Sequence, residues 1–282
     1  MALREPIAAP PAVPPRVGLI ASAITPPTEQ GERWQLGITY QPENCSGGGV
    51  GDPCGGGSKT IGPNADIVDY DPFYVWAGDQ CSAFGFDAHD YIGRANRLLL
   101  ASESFQIARE FWTGAQATAS GWPNRFLASA ASDVLSPGTG LTPIQALSCL
   151  EMGLADCNDG QRGMIHATRQ VALLWAQNGL IKREGNLVLT INDTIVVADA
   201  GYDGSDPDGN PATNGAVWAY ATDMVTVRRG PIAVVPDKFS EAVDRSVNLI
   251  EYRAERLAAA TFDGCCHLAV QIAADVCGIG GS

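Results

Sequence analysis

Charge is scarce in this chain. Asp, Glu, Lys and Arg make up 17% of its 282 residues, against roughly a quarter in an ordinary soluble domain, while 45% of residues are hydrophobic. A surface drawn from such a composition cannot all face water, and burial between subunits is the simplest outlet. Positive charge is the scarcer sign: 18 basic against 31 acidic residues leave a net charge of −13, which excludes a protein that grips nucleic acid by neutralising phosphates. No stretch approaches the ~18 consecutive apolar residues of a spanning helix. The longest apolar runs, around Ile195 to Ala198, are of strand length, so a soluble protein without a membrane partner is expected. Prolines interrupt every candidate for an apolar leader segment near the start, and no cleaved secretory signal is expected.

Motifs for chemistry are also missing. The eight cysteines, Cys45, Cys54, Cys81, Cys149, Cys157, Cys265, Cys266 and Cys277, include no C-x-x-C pair, which removes the common zinc and redox spacings. Placed in a reducing compartment, they are expected to be buried, unpaired thiols. Cys45 and Cys54 bracket a glycine-rich tip, and a disulfide or a metal between those two stays open. The three histidines, His89, His166 and His267, have no G-x-S-x-G serine or Cys/His signature beside them, so they are expected in the core or at an interface. Asp206, Asp208 and Asn210 alternate like a calcium loop, and Asp203 lies close by, but no glutamate closes the set and a solvated acidic loop is expected. The Gly47 to Gly57 stretch, with Lys59 after it, lacks the Gly-Lys-Ser/Thr ending of a phosphate loop. No catalytic residue, metal ligand or cofactor site is expected.

What the sequence does contain is a sharp contrast. Pro6, Pro10, Pro11, Pro14, Pro15, Pro26 and Pro27 dictate an extended opening arm, since each ring fixes φ and removes an amide donor. From Gly31 to Phe86 aromatic and β-branched residues are diluted by seven glycines between Gly47 and Gly57. A segment that long without a core of its own is expected to be ordered by a partner surface. Asp87 and Asp90 then open a helix of about twenty-six residues ending at Gly114, roughly 40 Å long. Its expected buried stripe is Tyr91, Ala95, Leu98, Ser102, Phe105, Arg109 and Trp112, widened by Leu99, Ile107, Ala108 and Phe111. Residues 115–139 read as a loop-rich crossing with weak helical content around Phe126 to Ala131.

Thr142 with Gln145 spells a capping box with Pro143 at the first helical position, and Ile144, Leu147, Leu150 and Leu154 form the expected buried face. Gly163 to Ala167 reads as a strand, and Thr168 caps a further helix, with Val171, Leu174 and Trp175 inward, that closes at Asn178 and Gly179. Strands follow at Leu187 to Ile191, Thr194 to Asp199, Val217 to Thr222, Met224 to Arg228, Ser246 to Phe262 and His267 to Ala273, with turn chemistry at Asn192-Asp193 and Asp263-Gly264. Arg228, Arg229, Arg245, Arg253 and Arg256 alternate with Glu241, Glu251 and Glu255 and are expected to pair across strands or subunits. The class is α+β.

This order of elements resembles the major capsid protein of tailed bacteriophages, whose fold is shared with encapsulins and the floor of herpesvirus capsids. The resemblance is carried by segment order over nearly the whole chain. Its most specific stretches are Leu141 to Ile181, where the capped helix leads into Gly163-Met164-Ile165-His166 and a tryptophan-bearing helix, and the charged strand Arg253-Ala254-Glu255-Arg256. It implies an N-terminal arm at 1–28, an extended loop at 29–86, a spine helix and the start of a peripheral domain at 87–140, an axial domain at 141–235, and returning peripheral strands at 236–282. It also implies a structural, non-enzymatic subunit that self-assembles into hexamers and pentamers of an icosahedral head around double-stranded DNA. Such a subunit is made in the host bacterial cytoplasm and works with a separate scaffolding protein and a portal. The negative net charge suits a shell along which packaged DNA slides.

Tyr40, Tyr70, Phe73, Tyr74, Val75 and Trp76 are the expected intersubunit contacts, because buried aromatics dominate interface energetics. Some members of the family crosslink through a lysine of the extended loop, where Lys59 lies, but no partner asparagine or catalytic glutamate is matched here. An encapsulin-type compartment holding protein cargo is the alternative within the fold. A soluble binding protein or hydrolase is the alternative outside it.

Overall fold

The computed structural model describes residues 13–26, 33–43, 45, 65–82, 90–136 and 138–275. In chain order the elements are α1 (Leu19–Ser22), β1 (Ile38–Tyr40), β2 (Val68–Tyr70), β3 (Phe73–Ser82), α2 (Tyr91–Thr113), α3 (Ala115–Ser120), β4 (Asp133–Val134), α4 (Pro143–Cys157), β5 (Gly163–Thr168) and α5 (Arg169–Gln177). They continue with β6 (Ile181–Glu184), β7 (Leu187–Thr190), β8 (Ile195–Asp199), β9 (Val217–Asp223), β10 (Thr226–Arg229), β11 (Ala233–Val235), α6 (Phe239–Ala242), β12 (Val243–Asp244), β13 (Leu249–Thr261) and β14 (His267–Ile272).

The ends of the spine helix α2 are chemically set. The Asp90 carboxylate accepts the Gly93 amide at 2.8 Å, and Gly114, in the left-handed region at φ 57°, stops the helix after 23 residues. Its buried stripe is Ala95, Leu99, Glu103, Ser104, Ile107, Ala108, Phe111 and Trp112. Leu98 and Phe105, expected inside, are exposed. The stripe is displaced because its centre holds a charge, Glu103, which a hydrophobicity pattern counts as surface. Gly114 also starts α3, so a short helix replaces the expected loop there, whereas 126–131 form turns and no helix. In α4 the capping box is present, but Ala146 is buried and Ile144 exposed.

The described residues form three sheets. β1 and β2 pair antiparallel, with Ile38 opposite Tyr70, as a short ribbon. The peripheral sheet is built around β13, whose thirteen residues run antiparallel to β3 over ten residue pairs on one edge. On the other edge β13 pairs in turn with β12, β11 and β10. A seven-stranded sheet, called axial because β5–β9 lie within 141–235, has the order β4-β14-β9-β5-β8-β7-β6. β4 and β14 join it from outside that range, whereas β10 and β11, inside it, belong to the peripheral sheet. The axial sheet is mixed, with β4 parallel to β14 and β5 parallel to β8. Because strand side chains alternate, the axial sheet is apolar on both faces. Met164, Tyr220 and Ala269 look into one core with α2 and the peripheral sheet, and Ile165, Ala221 and Val270 into a second under α4 and α5.

Much of the stretch expected as extended loop therefore lies within this chain. Val68, Tyr70, Phe73 and Val75 are buried, and β3 is a full member of the peripheral sheet. Residue 44 and residues 46–64, which carry Cys54, Lys59 and the glycine-rich tip, lie outside the described residues, as does His89.

The described part of the arm is fastened at two points. Leu19 is fully buried in the α2 core, and its amide donates to Asp199 Oδ2 at 2.8 Å. Further on, Ile24 exchanges backbone hydrogen bonds with Val225 and Val227, adding a one-residue parallel bridge beside β10. Gly18 turns the chain into this seat at φ 137°, and a Cβ there would collide with the Asp199 carboxylate. We expect Gly18→Ala to unseat Leu19 and destabilise the arm by about 1–3 kcal/mol. Hydrogen exchange at the Leu19 and Ile24 amides should accelerate while the β13 amides stay protected; unchanged arm protection would refute the assignment.

Candidate assembly surface

The six aromatic and aliphatic positions anticipated as contacts divide by the alternation of β3. Phe73 and Val75 point into the core, and Tyr70 is buried beneath the β13–β14 turn, so these three are corrected: their side chains are used within the subunit. Tyr70 donates its hydroxyl to Phe262 O at 2.6 Å and accepts the Phe262 amide at 3.2 Å, which joins the root of the loop to the end of β13. Burial raises the Tyr70 phenol, so it stays a donor at any physiological pH. Tyr40 is half-buried and stacks on Tyr70 with centroids 6.4 Å apart. Asp71 and Asn124 exchange two backbone–amide hydrogen bonds, of 2.6 and 2.8 Å, that continue this anchorage.

Tyr74 and Trp76 take the other side of β3 and are 65% and 56% exposed. They line a groove of about 450 Å³ between β3 and α2 with Phe105, Gln106, Arg109, Glu110 and Trp122. Exposed Phe105, 43% accessible, extends the apolar floor. No pattern in α2 alone would have picked Phe105 as a surface residue, since it falls in the stripe read as buried. The rim is rigid. Gln106 Oε1 accepts the Trp76 amide at 3.1 Å and its Nε2 donates to Trp76 O at 3.0 Å, so one side-chain amide takes both backbone groups of Trp76 on the edge of β3 away from β13. Glu110 accepts the Gln116 and Ala117 amides, both at 2.9 Å, and caps α3. Burial raises the Glu110 carboxyl, with those two amides opposing it.

Polar groups in the interior are bonded to one another. His166 is fully buried, with Nδ1 3.0 Å from the Tyr202 hydroxyl and Nε2 3.0 Å from Thr222 Oγ1. Thr222 already donates to Asp223 O at 2.8 Å, so its oxygen accepts from Nε2–H and Nδ1 accepts from Tyr202. That network fixes a neutral imidazole. Burial, reinforced by His267, lowers its pKa to about 3. His267 is likewise buried, 3.1 Å from Leu127 O, and shifted downward by desolvation. Glu103 binds Arg229 at 2.7 Å and Arg256 at 2.6 Å, clamping the spine helix to β10 and β13. Arg253 pairs with Glu251 and Glu255 along its own strand. Asp206 accepts the Asp208 and Asn210 amides, so the acidic loop satisfies its own turn.

The cysteines depart from expectation. Cys45 is bonded to Cys265 and Cys157 to Cys266, with Cα–Cα distances of 5.1 and 5.5 Å that suit a disulfide. Expected unpaired thiols are thereby corrected at four positions, and Cys45 is taken by a partner other than Cys54. Cys149 is free.

A scan of known protein families found none that matches the sequence, and a search of curated proteins found no relative. Solved structures do match, end to end. The capsid of the native GTA particle superposes with a TM-score of 0.58 at 10% identity, covering 97% of this chain and 96% of that one. Microbacterium phage Oxtober96 gives 0.56 at 12% identity, over 98% and 96%. The holo-SrpI encapsulin complex from Synechococcus elongatus PCC 7942 gives 0.55 at 13% identity, over 100% and 99%. The chain has the fold common to phage capsid subunits and an encapsulin shell.

Proposed function

We propose that this protein is the major capsid protein of a tailed bacteriophage, a shell subunit that assembles into hexamers and pentamers of an icosahedral head enclosing double-stranded DNA. The observation that carries the reading is the coverage: capsid subunits match this chain from arm to last strand. The groove beside β3 supports it, because two large aromatics and Phe105 stand exposed on a rigid rim, where a neighbouring copy's loop would bury them. Scaffolding and portal partners, and production in a bacterial cytoplasm, belong to this proposal. DNA would be enclosed without sequence-specific contact, since the chain carries a net charge of −13.

Electron microscopy of the purified full chain is the test: closed particles or ring-shaped capsomers are expected, and a persistently monomeric species would end the reading. An encapsulin-type compartment is the second reading, favoured by the full-length match to the SrpI shell. DNA in particles purified from the native source supports a phage head, and protein cargo supports a compartment. Trp76→Asp combined with Tyr74→Asp should abolish particles while leaving the circular dichroism melt of the subunit within a few degrees of wild type. Each lost aromatic anchor removes about 2 kcal/mol or more per contact, repeated at every symmetry-related interface. Normal particles from this double variant would show that the groove is not an assembly surface.

A further inference from the structure

Four cysteines from three distant segments meet at one turn. The β13–β14 hairpin turns at Asp263-Gly264, with Gly264 at φ 78°, and continues directly into Cys265 and Cys266. Adjacent residues send their side chains apart, so the two thiols reach different partners. Cys265 bonds Cys45, 220 residues away beyond β1 at the root of the loop. Cys266 bonds Cys157, 109 residues away at the end of α4 in the axial unit. The turn itself is held still: Asp223 Oδ2 accepts the amides of Cys265 at 2.9 Å and Cys266 at 3.1 Å, and Arg125 donates to Asp263 O at 2.9 Å. A fixed platform thus carries one link to the loop and one to the axial sheet.

The two links differ in access. Cys45 and Cys265 are both half-buried; in the other link Cys157 is half-buried and Cys266 is fully buried with Leu268 in the α4 core. Thiol–disulfide exchange requires a line of approach to a sulfur; the loop link offers two partly accessible sulfurs and the axial link one, so the loop link is the more readily exchanged.

We propose that Cys45 and Cys265 form an oxidation-dependent clasp that fixes the root of the extended loop to its own subunit, with Cys157–Cys266, half of it buried, as the less accessible bridge that keeps the platform in place. Closure proceeds by exchange with a low-molecular-weight disulfide. One protein thiolate attacks that disulfide and releases a small thiol. The second protein thiolate then displaces the remaining small thiol, so the two electrons and two protons lost by the cysteines leave on two small-thiol molecules. In a reducing cytoplasm the root is held by noncovalent contacts, among them the β1–β2 pairing, Tyr70 and Asn124, and can adjust as copies meet; in oxidising surroundings it is locked. The timing of closure rests on the shell reading, whereas the linkage does not.

The three lysines, Lys59, Lys182 and Lys238, make the linkage readable. After free thiols are blocked, complete cleavage at lysine without reductant should leave peptides 1–59 and 60–182 both joined to 239–282, with 183–238 alone. Reductant should resolve all four. Cys45→Ser should free 1–59 and nothing else. In a graded dithiothreitol series on the folded protein, 1–59 should be released at about ten-fold lower reductant than 60–182. A free 1–59 peptide in the oxidised protein, or release in the opposite order, overturns the proposal.

Particles assembled under reductant and then treated with oxidised glutathione should withstand more guanidinium than before treatment, and Cys45→Ser particles should not change. Equal gains in both would overturn the locking role. If no particles form but the linked peptides appear, the shell reading fails and the clasp stands. Particles with peptide 1–59 free give the converse.

Discussion

Glu103→Ala lowers the unfolding free energy of the subunit by about 3–5 kcal/mol, the range for removing one member of a buried ion cluster. The size follows from what is left behind. Glu103 is 5% exposed and lies at the centre of the buried face of α2, with Arg256, its side chain 15% exposed, bonded to one oxygen and Arg229 to the other. Arg256 Nε is already buried without a partner, so this guanidinium depends on Glu103 for its compensation. Arg229, about one-third exposed, recovers some hydration when the carboxylate goes, and its share is smaller. Glu103→Gln should be nearly as damaging, because shape is kept and charge is not.

Replacing the three together by Met or Leu should restore most of the loss, since a well-packed apolar cluster avoids the desolvation penalty of all three ions. Urea denaturation of unassembled subunits measures each variant. A loss below about 1 kcal/mol for Glu103→Ala would mean that the cluster is solvated and does not clamp the spine helix.

Acid weakens this protein well before carboxylates titrate. The folded-state pKa of His166 is depressed to about 3 from an unfolded value near 6.5. Its stabilising contribution is complete above the unfolded value and is lost as pH falls from there toward the folded one, because only the unfolded chain takes up the proton. At pH 5 the loss from this residue is about 2 kcal/mol. His267 is shifted in the same direction and adds to it.

The raised carboxyls act oppositely. Asp199, Asp223 and Glu110, each pushed up chiefly by desolvation, bind protons more readily when folded, so they gain stability as pH falls through their folded values and flatten the slope at the acid end. Around His166 stand Tyr202, Thr222, Phe111 and His267, and the first two supply its hydrogen bonds. Urea midpoints between pH 7.5 and 5 should fall steeply in the wild type. They should fall less in His166→Gln, which starts lower. A variant with the full wild-type slope would show that His166 does not carry the effect.

Features governed by neighbouring residues were the legible ones. Thr142 and Gln145 cap α4 reciprocally as their spacing dictates, Thr168 caps α5, and Asp263-Gly264 makes the β13–β14 turn. Their chemistry is complete within a few residues. The buried stripe of α2 was not legible, because what makes Glu103 a core residue are arginines 126 and 153 positions away. β3 was hidden differently. Phe73 and Val75 face inward while Tyr74 and Trp76 face outward, so a strand apolar on both sides carries no alternation to detect. The same fact explains why only half of the anticipated contact residues remain on the surface. Cysteine pairing across 220 and 109 residues is a property of the closed fold and leaves no local trace.

The Gln106 amide seated on the backbone of Trp76 bears on how copies of the chain can meet. A ten-residue strand with a bare outer margin invites another strand to continue the sheet without limit, which is the route to fibres. By occupying the Trp76 donor and acceptor on that margin, α2 blocks main-chain annealing at this position. In the proposed shell, side chains would then make the contact, which fixes an angle between neighbours and lets growth close on itself into a finite body.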